Sequence, residues 1–283
     1  MTQIDRLRRS VAVEIQKLRA GTPETFTDHV ATEEPLEIRL VASDGTFTRI
    51  SVTMRTPGDD FELAVGFLFT EGILTARDSV KAIAFAEASG DQAGNIVNVC
   101  VDDSVDLDPA RFQRNFYTTS SCGVCGKGSL EALVIQGCAP PRGSGPLVNA
   151  STILRLPAAL RQAQSVFEET GGLHAAGLFD DEGNLLGLRE DVGRHNALDK
   201  LIGKCFLAGE LPLSDRVLLV SGRTSFELLQ KAAMSGIPFV AGVGAPSSLA
   251  VDTARAFGIT LVGFLRRDGF NIYAGAARVQ MDL

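Results

Sequence analysis

Val217-Leu218-Leu219-Val220 is apolar at every position, and it recurs in kind as Phe239 to Val243 and Ile259 to Leu265, with helix-patterned stretches between. A strand with no polar face must be covered on both sides, which a parallel sheet under helices achieves. The spacers read as helices from Ser225 to Met234 and from Ser248 to Phe257, the latter closed by Gly258. Upstream, Pro157 to Thr170 predicts a helix with proline in its first turn and Gly171-Gly172 after its last. Strands from Leu173 to Phe179 and Leu185 to Leu188 follow, paired across Asp181-Glu182-Gly183-Asn184, then a helix from Arg194 to Ala208. Residues 148–283 are therefore expected to form a three-layer α/β domain.

The N-terminal part has a different rhythm. Residues 1–30 read as an amphipathic, arginine-rich helix through Ala20, ended by Gly21-Thr22-Pro23, or as a flexible tail. From Glu34, Leu36, Ile38 and Leu40 alternate, and Ser43-Asp44-Gly45 turns the chain into a second strand, Thr46 to Met54. Phe61, Leu63, Ala64, Phe67 and Leu68 then follow helical spacing as far as Glu71-Gly72, and Asn95 to Asp102 returns to strand alternation around an ordinary core thiol, Cys100. These features predict a small α+β domain over 31–115. Residues 116–147 are left as a cysteine-bearing loop and a glycine- and proline-rich connector, hinge-like in composition.

A chain of 283 residues with 45% hydrophobic content fills one large or two ordinary domains, and two are expected. Its apolar runs fall short of the roughly 18–20 residues of a membrane span. Its first residues lack the apolar centre of a secretory signal. Both point to the cytoplasm. Five cysteines, an odd number, do not make a secreted disulfide framework, and a net charge of −7 opposes general affinity for nucleic acid. An anionic ligand would then require a local basic site.

Ser120-Ser121-Cys122-Gly123-Val124-Cys125-Gly126-Lys127 carries the chemistry. Two thiols in a glycine-flanked turn, with a lysine beside the second, favour the thiolate and hence a nucleophile at neutral pH. A redox dithiol, half a zinc site, a persulfide carrier and an inert buried pair all meet this description. Zinc would need two more ligands, and Cys100, Cys138, Cys205, His29, His174 and His195 are scattered singly. The motif also follows a polar, arginine-bearing run instead of an early strand, which places a thioredoxin-like role below sulfur transfer.

Ligands of open α/β sheets sit beyond the carboxyl ends of the strands. Ser221-Gly222-Arg223-Thr224-Ser225 and Gly242-Val243-Gly244-Ala245-Pro246-Ser247-Ser248 both lead from a strand into a helix, so backbone amides and Arg223 make candidate anion cradles; helix capping alone accounts for either loop as well. Phe264-Leu265-Arg266-Arg267-Asp268-Gly269-Phe270 ends the third strand with two arginines. His195, beside Asp191 and Arg194, and His174, at a strand start, are candidates to face the same cleft.

The segment Phe116 to Lys127 closely resembles the signature of the FdhD family, sulfurtransferases required for formate dehydrogenase activity. Pro35-Leu36-Glu37, Phe61 to Phe67 with Glu71-Gly72-Ile73, Asp191 to Lys200 and Ser221-Gly222-Arg223 also resemble family signatures and appear in family order. The resemblance implies a cytidine-deaminase-like fold for the C-terminal domain. Deaminase chemistry is not implied, because the zinc-binding His-x-Glu or Cys-x-Glu with a downstream Pro-Cys-x-x-Cys is missing from the sequence. It further implies Cys122 and Cys125 as the sulfur-handling pair, a cysteine desulfurase as donor, formate dehydrogenase as client and a homodimer. The cargo would be a molybdenum bis(molybdopterin guanine dinucleotide) cofactor, bound through Phe264 to Gly269 with guanine nucleotides as stand-ins, and no metal ligand is expected from the protein itself. The rival readings are a cofactor-binding chaperone and a thiol-disulfide oxidoreductase.

Overall fold

The computed structural model describes residues 8–87, 92–106, 140–141 and 143–281. It opens with an antiparallel hairpin of β1 (Ser10–Arg19) and β2 (Thr22–Ala31), in register from Ser10 opposite Ala31 to Arg19 opposite Thr22. This corrects the expected N-terminal helix. Val11, Val13 and Ile15 are β-branched at every second position, the spacing of one strand face, and Ile15 meets Phe26 across the ladder. Ala20 and Gly21 both take positive φ, 47° and 84°, in a two-residue turn whose twist matches that of the strands it joins.

β3 (Glu34–Val41) and β4 (Phe47–Arg55) form the expected second hairpin, followed by α1 (Asp60–Thr70), β5 (Val80–Phe85) and β6 (Ile96–Val101). The sheet order is β4-β3-β6-β5, with β3 and β6 parallel. Leu36, Ile38 and Leu40 are fully buried against Leu63, Ala64 and Leu68 of α1, as the alternation requires. β5 escaped the sequence reading because it is an edge strand with no buried residue and hence no apolar face to read.

The C-terminal part runs β7 (Val148–Asn149), α2 (Ala150–Ala163), α3 (Ser165–Thr170), β8 (His174–Phe179), β9 (Leu185–Asp191), α4 (Arg194–Ala208), β10 (Val217–Val220), α5 (Phe226–Met234), β11 (Phe239–Gly242), α6 (Ser248–Ala256), β12 (Thr260–Gly263), β13 (Asn271–Ala274) and β14 (Val279–Gln280). The single helix expected from Pro157 is in fact two. Pro157 lies inside α2, which starts earlier, and the chain breaks at Gln164 (φ −79°, ψ 80°) before α3. An interior proline is the weaker prior, but Ile153, Leu156 and Leu160 bury one stripe of α2, and that burial decides.

Six strands form one sheet in the order β13-β12-β11-β10-β8-β9. β10, β11 and β12 are parallel; β8, β9 and β13 run antiparallel to their neighbours. Every residue of the three parallel strands is buried, as their unbroken apolar runs predict. Leu218, Val220, Val240 and Leu261 face α4, α5 and α6, whereas Val217, Leu219, Phe239 and Val262 face α2. Among the described residues, no helix is long and apolar enough to cross a membrane.

The two parts meet where α1 crosses α4. A Cβ placed on Gly66 would lie 1.9 Å from the Asp199 carbonyl oxygen, and one on Gly203 would lie 1.9 Å from that of Glu62. The two backbones therefore touch without intervening side chains. Charged groups close the edges of the joint: Lys231 Nζ lies 2.9 Å from Asp199 Oδ1, and Lys200 Nζ lies 2.8 Å from Asp191 Oδ2, all four side chains nearly or fully buried. Burial pulls the Lys231 pKa down, but the Asp199 and Glu71 carboxylates reverse this and hold it above the ordinary lysine value. Gly203→Ala is expected to lower the urea-unfolding free energy by about 1–3 kcal/mol or more through overpacking of backbone on backbone. The same change at Gly269, where an added Cβ meets nothing, is expected to be neutral.

Candidate functional site

The loops after β10, β11 and β12 are sewn together by backbone hydrogen bonds that continue the parallel sheet. Gly244 N–H donates to Gly222 O at 2.9 Å, Thr224 N–H to Ala245 O at 3.1 Å, Ser247 N–H to Thr224 O at 3.0 Å, and Phe264 N–H to Gly244 O at 3.0 Å. Gly244 is required at this seam, because a Cβ there would lie 2.8 Å from both Arg223 N and Gly222 O. The two loops differ in what remains for a ligand. Ser247 accepts from Ala250 N–H and so caps α6, which is the capping alternative weighed for that loop. Ser225 makes no such cap on α5, and the amides of Gly222 and Arg223 hold no hydrogen bond among the described residues.

Beside that loop stand His174 and His195. His174, first residue of β8, lies against Gly222, where a Cβ would come within 3.2 Å of its Nδ1. Its pKa is pushed down by burial and then by the charges of Arg194 and His195, with Asp191 opposing. His195 Nε2 lies 3.3 Å from both Ser225 Oγ and Glu227 Oε2, and Ser225 O–H donates to Glu227 at 2.8 Å. The hydrogen bond from His195 holds the Glu227 carboxyl down at about 2. Glu227 was not among the residues singled out from sequence; a Ser-x-Glu opening a helix ordinarily signals capping, and only the fold brings His195 to it.

Arg194 opens α4 with its Nε wholly buried and without a hydrogen-bond partner among the described residues. The turn that places it is fixed from within: buried Asp191 accepts from Gly193 N–H at 2.8 Å, Asn196 Nδ2 at 3.1 Å and Thr56 N–H at 3.1 Å, besides pairing with Lys200. Asp191 is thus a scaffold carboxylate, and the groups it positions are Arg194 and His195.

Phe264 opens the third loop with φ +51° and 44% of its surface exposed, a rare backbone state for a bulky side chain, held by hydrogen bonds at Phe264 N and Leu265 N. Arg266 donates to the carbonyls of Val243 and Leu265, while Arg267 and Asp268 are exposed. Leu265 turns into the core, and the Thr224 hydroxyl is buried without a hydrogen-bond partner among the described residues. The structure therefore gathers Ser221, Gly222, Arg223, Gly244, His174 and His195 at one end of the sheet with Phe264 and Arg266 alongside. Cys122 and Cys125 lie outside the described residues.

Comparison with known proteins gives a consistent picture. Residues 31–280 match the FdhD/NarQ family. A Streptomyces avermitilis protein described as sulfur carrier protein FdhD is 50% identical over 274 residues, 94% of each chain. A Mycobacterium tuberculosis protein of the same description is 48% identical over 271 residues, 94% of this chain and 96% of that one. A crystal structure of a candidate formate dehydrogenase accessory protein from Desulfotalea psychrophila superposes with a TM-score of 0.73 at 24% identity, covering 96% of this chain and 100% of the other, which shows a shared fold. With the family match spanning most of its length and relatives near half identical, this chain belongs to the FdhD/NarQ family.

Proposed function

We propose that this chain is a cytoplasmic sulfurtransferase for formate dehydrogenase maturation, taking sulfur from a cysteine desulfurase and delivering it to a molybdenum bis(molybdopterin guanine dinucleotide) cofactor. The observation that carries the reading is the Cys122-Gly123-Val124-Cys125 motif in a chain whose relatives, about half identical along nearly their whole length, are described as sulfur carriers. The same reading gives the C-terminal part a cytidine-deaminase-like layering, supported by its mixed sheet with helices on both faces, and takes the working unit to be a homodimer.

The chemistry follows from thiolate reactivity. The Cys122 thiolate attacks the outer sulfur of the desulfurase persulfide; that S–S bond breaks, the desulfurase thiolate leaves, and Cys122 holds the sulfane sulfur. Attack of the Cys125 thiolate on the inner sulfur then forms a Cys122–Cys125 disulfide and releases sulfide to the molybdenum of the cargo. The dithiol supplies the two electrons, and a cellular thiol reductant restores it.

At the other end, the free amides of Gly222 and Arg223 with the guanidinium groups of Arg194, Arg223 and Arg266 suit the cofactor's pyrophosphates. Exposed Phe264 is placed to stack on a guanine. His174 and His195 border the same crevice.

In cells lacking the native chain, Cys122→Ala and Cys125→Ala introduced separately are expected to leave formate dehydrogenase inactive or nearly so, although the protein accumulates. Full activity with both variants would instead favour a cofactor-binding chaperone, and insulin reduction at thioredoxin-like rates would favour an oxidoreductase. Guanosine diphosphate binding, followed by calorimetry, is expected to weaken at least tenfold in Arg223→Ala/Arg266→Ala, since each lost charge-assisted contact is worth about 1.5–3 kcal/mol. Unchanged binding would remove the anion site from these loops.

A further inference from the structure

On the α2 side of the sheet, immediately past the ends of β10 and β11, a cleft of about 540 Å³ opens between Leu160, Gln164 and Phe167 on one wall and Leu173, His174 and Ser221 on the other. Its size falls in the range of roughly 300–1,000 Å³ typical of small-molecule sites. Its lining is mostly apolar or uncharged; Arg161, its one permanently charged residue, is exposed at the rim, pairs with Glu168 at 2.5 Å and lies with its guanidinium over the Phe167 ring, 4.6 Å from the centroid.

Gln164 is the anomaly in that lining. It sits at the break between α2 and α3 and is only 4% exposed, yet its Nε2 has no hydrogen-bond partner among the described residues. A buried amide donor without an acceptor is destabilising, and a leucine or methionine would fill the same space without that cost. Its presence points to a ligand that supplies the acceptor. Ser221, whose Oγ accepts from Ala175 N–H at 2.9 Å, keeps its own O–H available at the cleft floor.

We infer that this cleft seats a neutral fused heterocycle bearing a lactam, a guanine or pterin ring, with the Gln164 amide pairing to the lactam. A primary amide offers a donor and an acceptor side by side, the complement of a lactam's C=O and N–H. Leu160, Leu173 and Phe167 supply apolar and aromatic surface for the ring. Ser221 belongs both to this cleft and to the first anion loop, and His174 lies against Gly222 of that loop, so a ligand with a neutral ring and an anionic tail spans the two, its phosphates turned toward Arg194 and Arg223. The assignment rests on the proposed cofactor reading and adds to it the place of a ring.

The test titrates the full-length protein with four probes: guanosine diphosphate, adenosine diphosphate, phosphate-free neopterin and inorganic pyrophosphate. Gln164→Leu is expected to weaken guanosine diphosphate, neopterin or both at least tenfold, to leave pyrophosphate unchanged, and to melt no lower than the native protein. Whichever ring responds identifies the occupant. Adenosine diphosphate, which lacks the lactam, is expected to bind more weakly at the outset and to be indifferent to the substitution. Gln164→Met, close to glutamine in shape, repeats the measurement should the leucine variant fold poorly. If neither ring probe responds in a folded variant, or if adenosine diphosphate loses as much as guanosine diphosphate, the cleft assignment is wrong. Pyrophosphate binding without ring binding would refute the cleft and leave the anion loops standing; ring binding that depends on Gln164, without pyrophosphate binding, would do the reverse.

Discussion

The structure depends on two glycines. Gly66 in α1 and Gly203 in α4 let the helices cross with backbone against backbone, and an added methyl group on either would sit inside a carbonyl oxygen of the other helix. Ordinary helix pairs keep their axes about 8–10 Å apart because side chains fill the space between them. Removing the side chains locks the β3–β6 sheet onto the six-stranded sheet through two of their own helices. The two halves are thus held as one scaffold at this seam.

The candidate site inherits its geometry from that crossing. α4 is the helix that begins with Arg194 and His195, and its N-terminal turn is held by buried Asp191, which reaches across to Thr56 of the N-terminal part and pairs with Lys200. Breaking a buried ion pair of this kind typically costs about 3–5 kcal/mol. The arginine and histidine are thus placed by groups that never touch a ligand. Among the described residues, Arg194 Nε and Gln164 Nε2 are two of the few buried side-chain atoms left without a partner, and Gln164 lines the crevice that His174 and Ser221 share.

Much of this was legible beforehand where one physical signal dominated. The parallel strands were readable because uninterrupted Val217-Leu218-Leu219-Val220 has one stable environment, and β3 because Leu36, Ile38 and Leu40 alternate without exception. The failures share a cause. In β1 the period-two pattern of Val11, Val13 and Ile15 is masked by an arginine-rich approach and by a turn, Ala20-Gly21, that lacks an asparagine or aspartate to announce it. In α2 the proline was given more weight than the apolar stripe. The loops of the site were legible in composition, but the sequence could not tell that Ser247 caps its helix while Ser225 turns to Glu227, because both are serines before a helix and only the approach of His195 separates them.

The proposed role joins the Cys122 and Cys125 pair of the sequence to the arginine-bearing loops beyond a parallel sheet, and it requires sulfur to reside on the protein between donor and acceptor. That residence is directly observable. The full-length protein, reduced, incubated with a cysteine desulfurase and free cysteine, and analysed intact and after proteolysis by mass spectrometry, is predicted to gain the mass of one sulfur atom on the peptide bearing Cys122 and Cys125. A protein that never acquires that mass, while the desulfurase persulfide forms normally, would contradict the account and leave only a carrier of the cofactor.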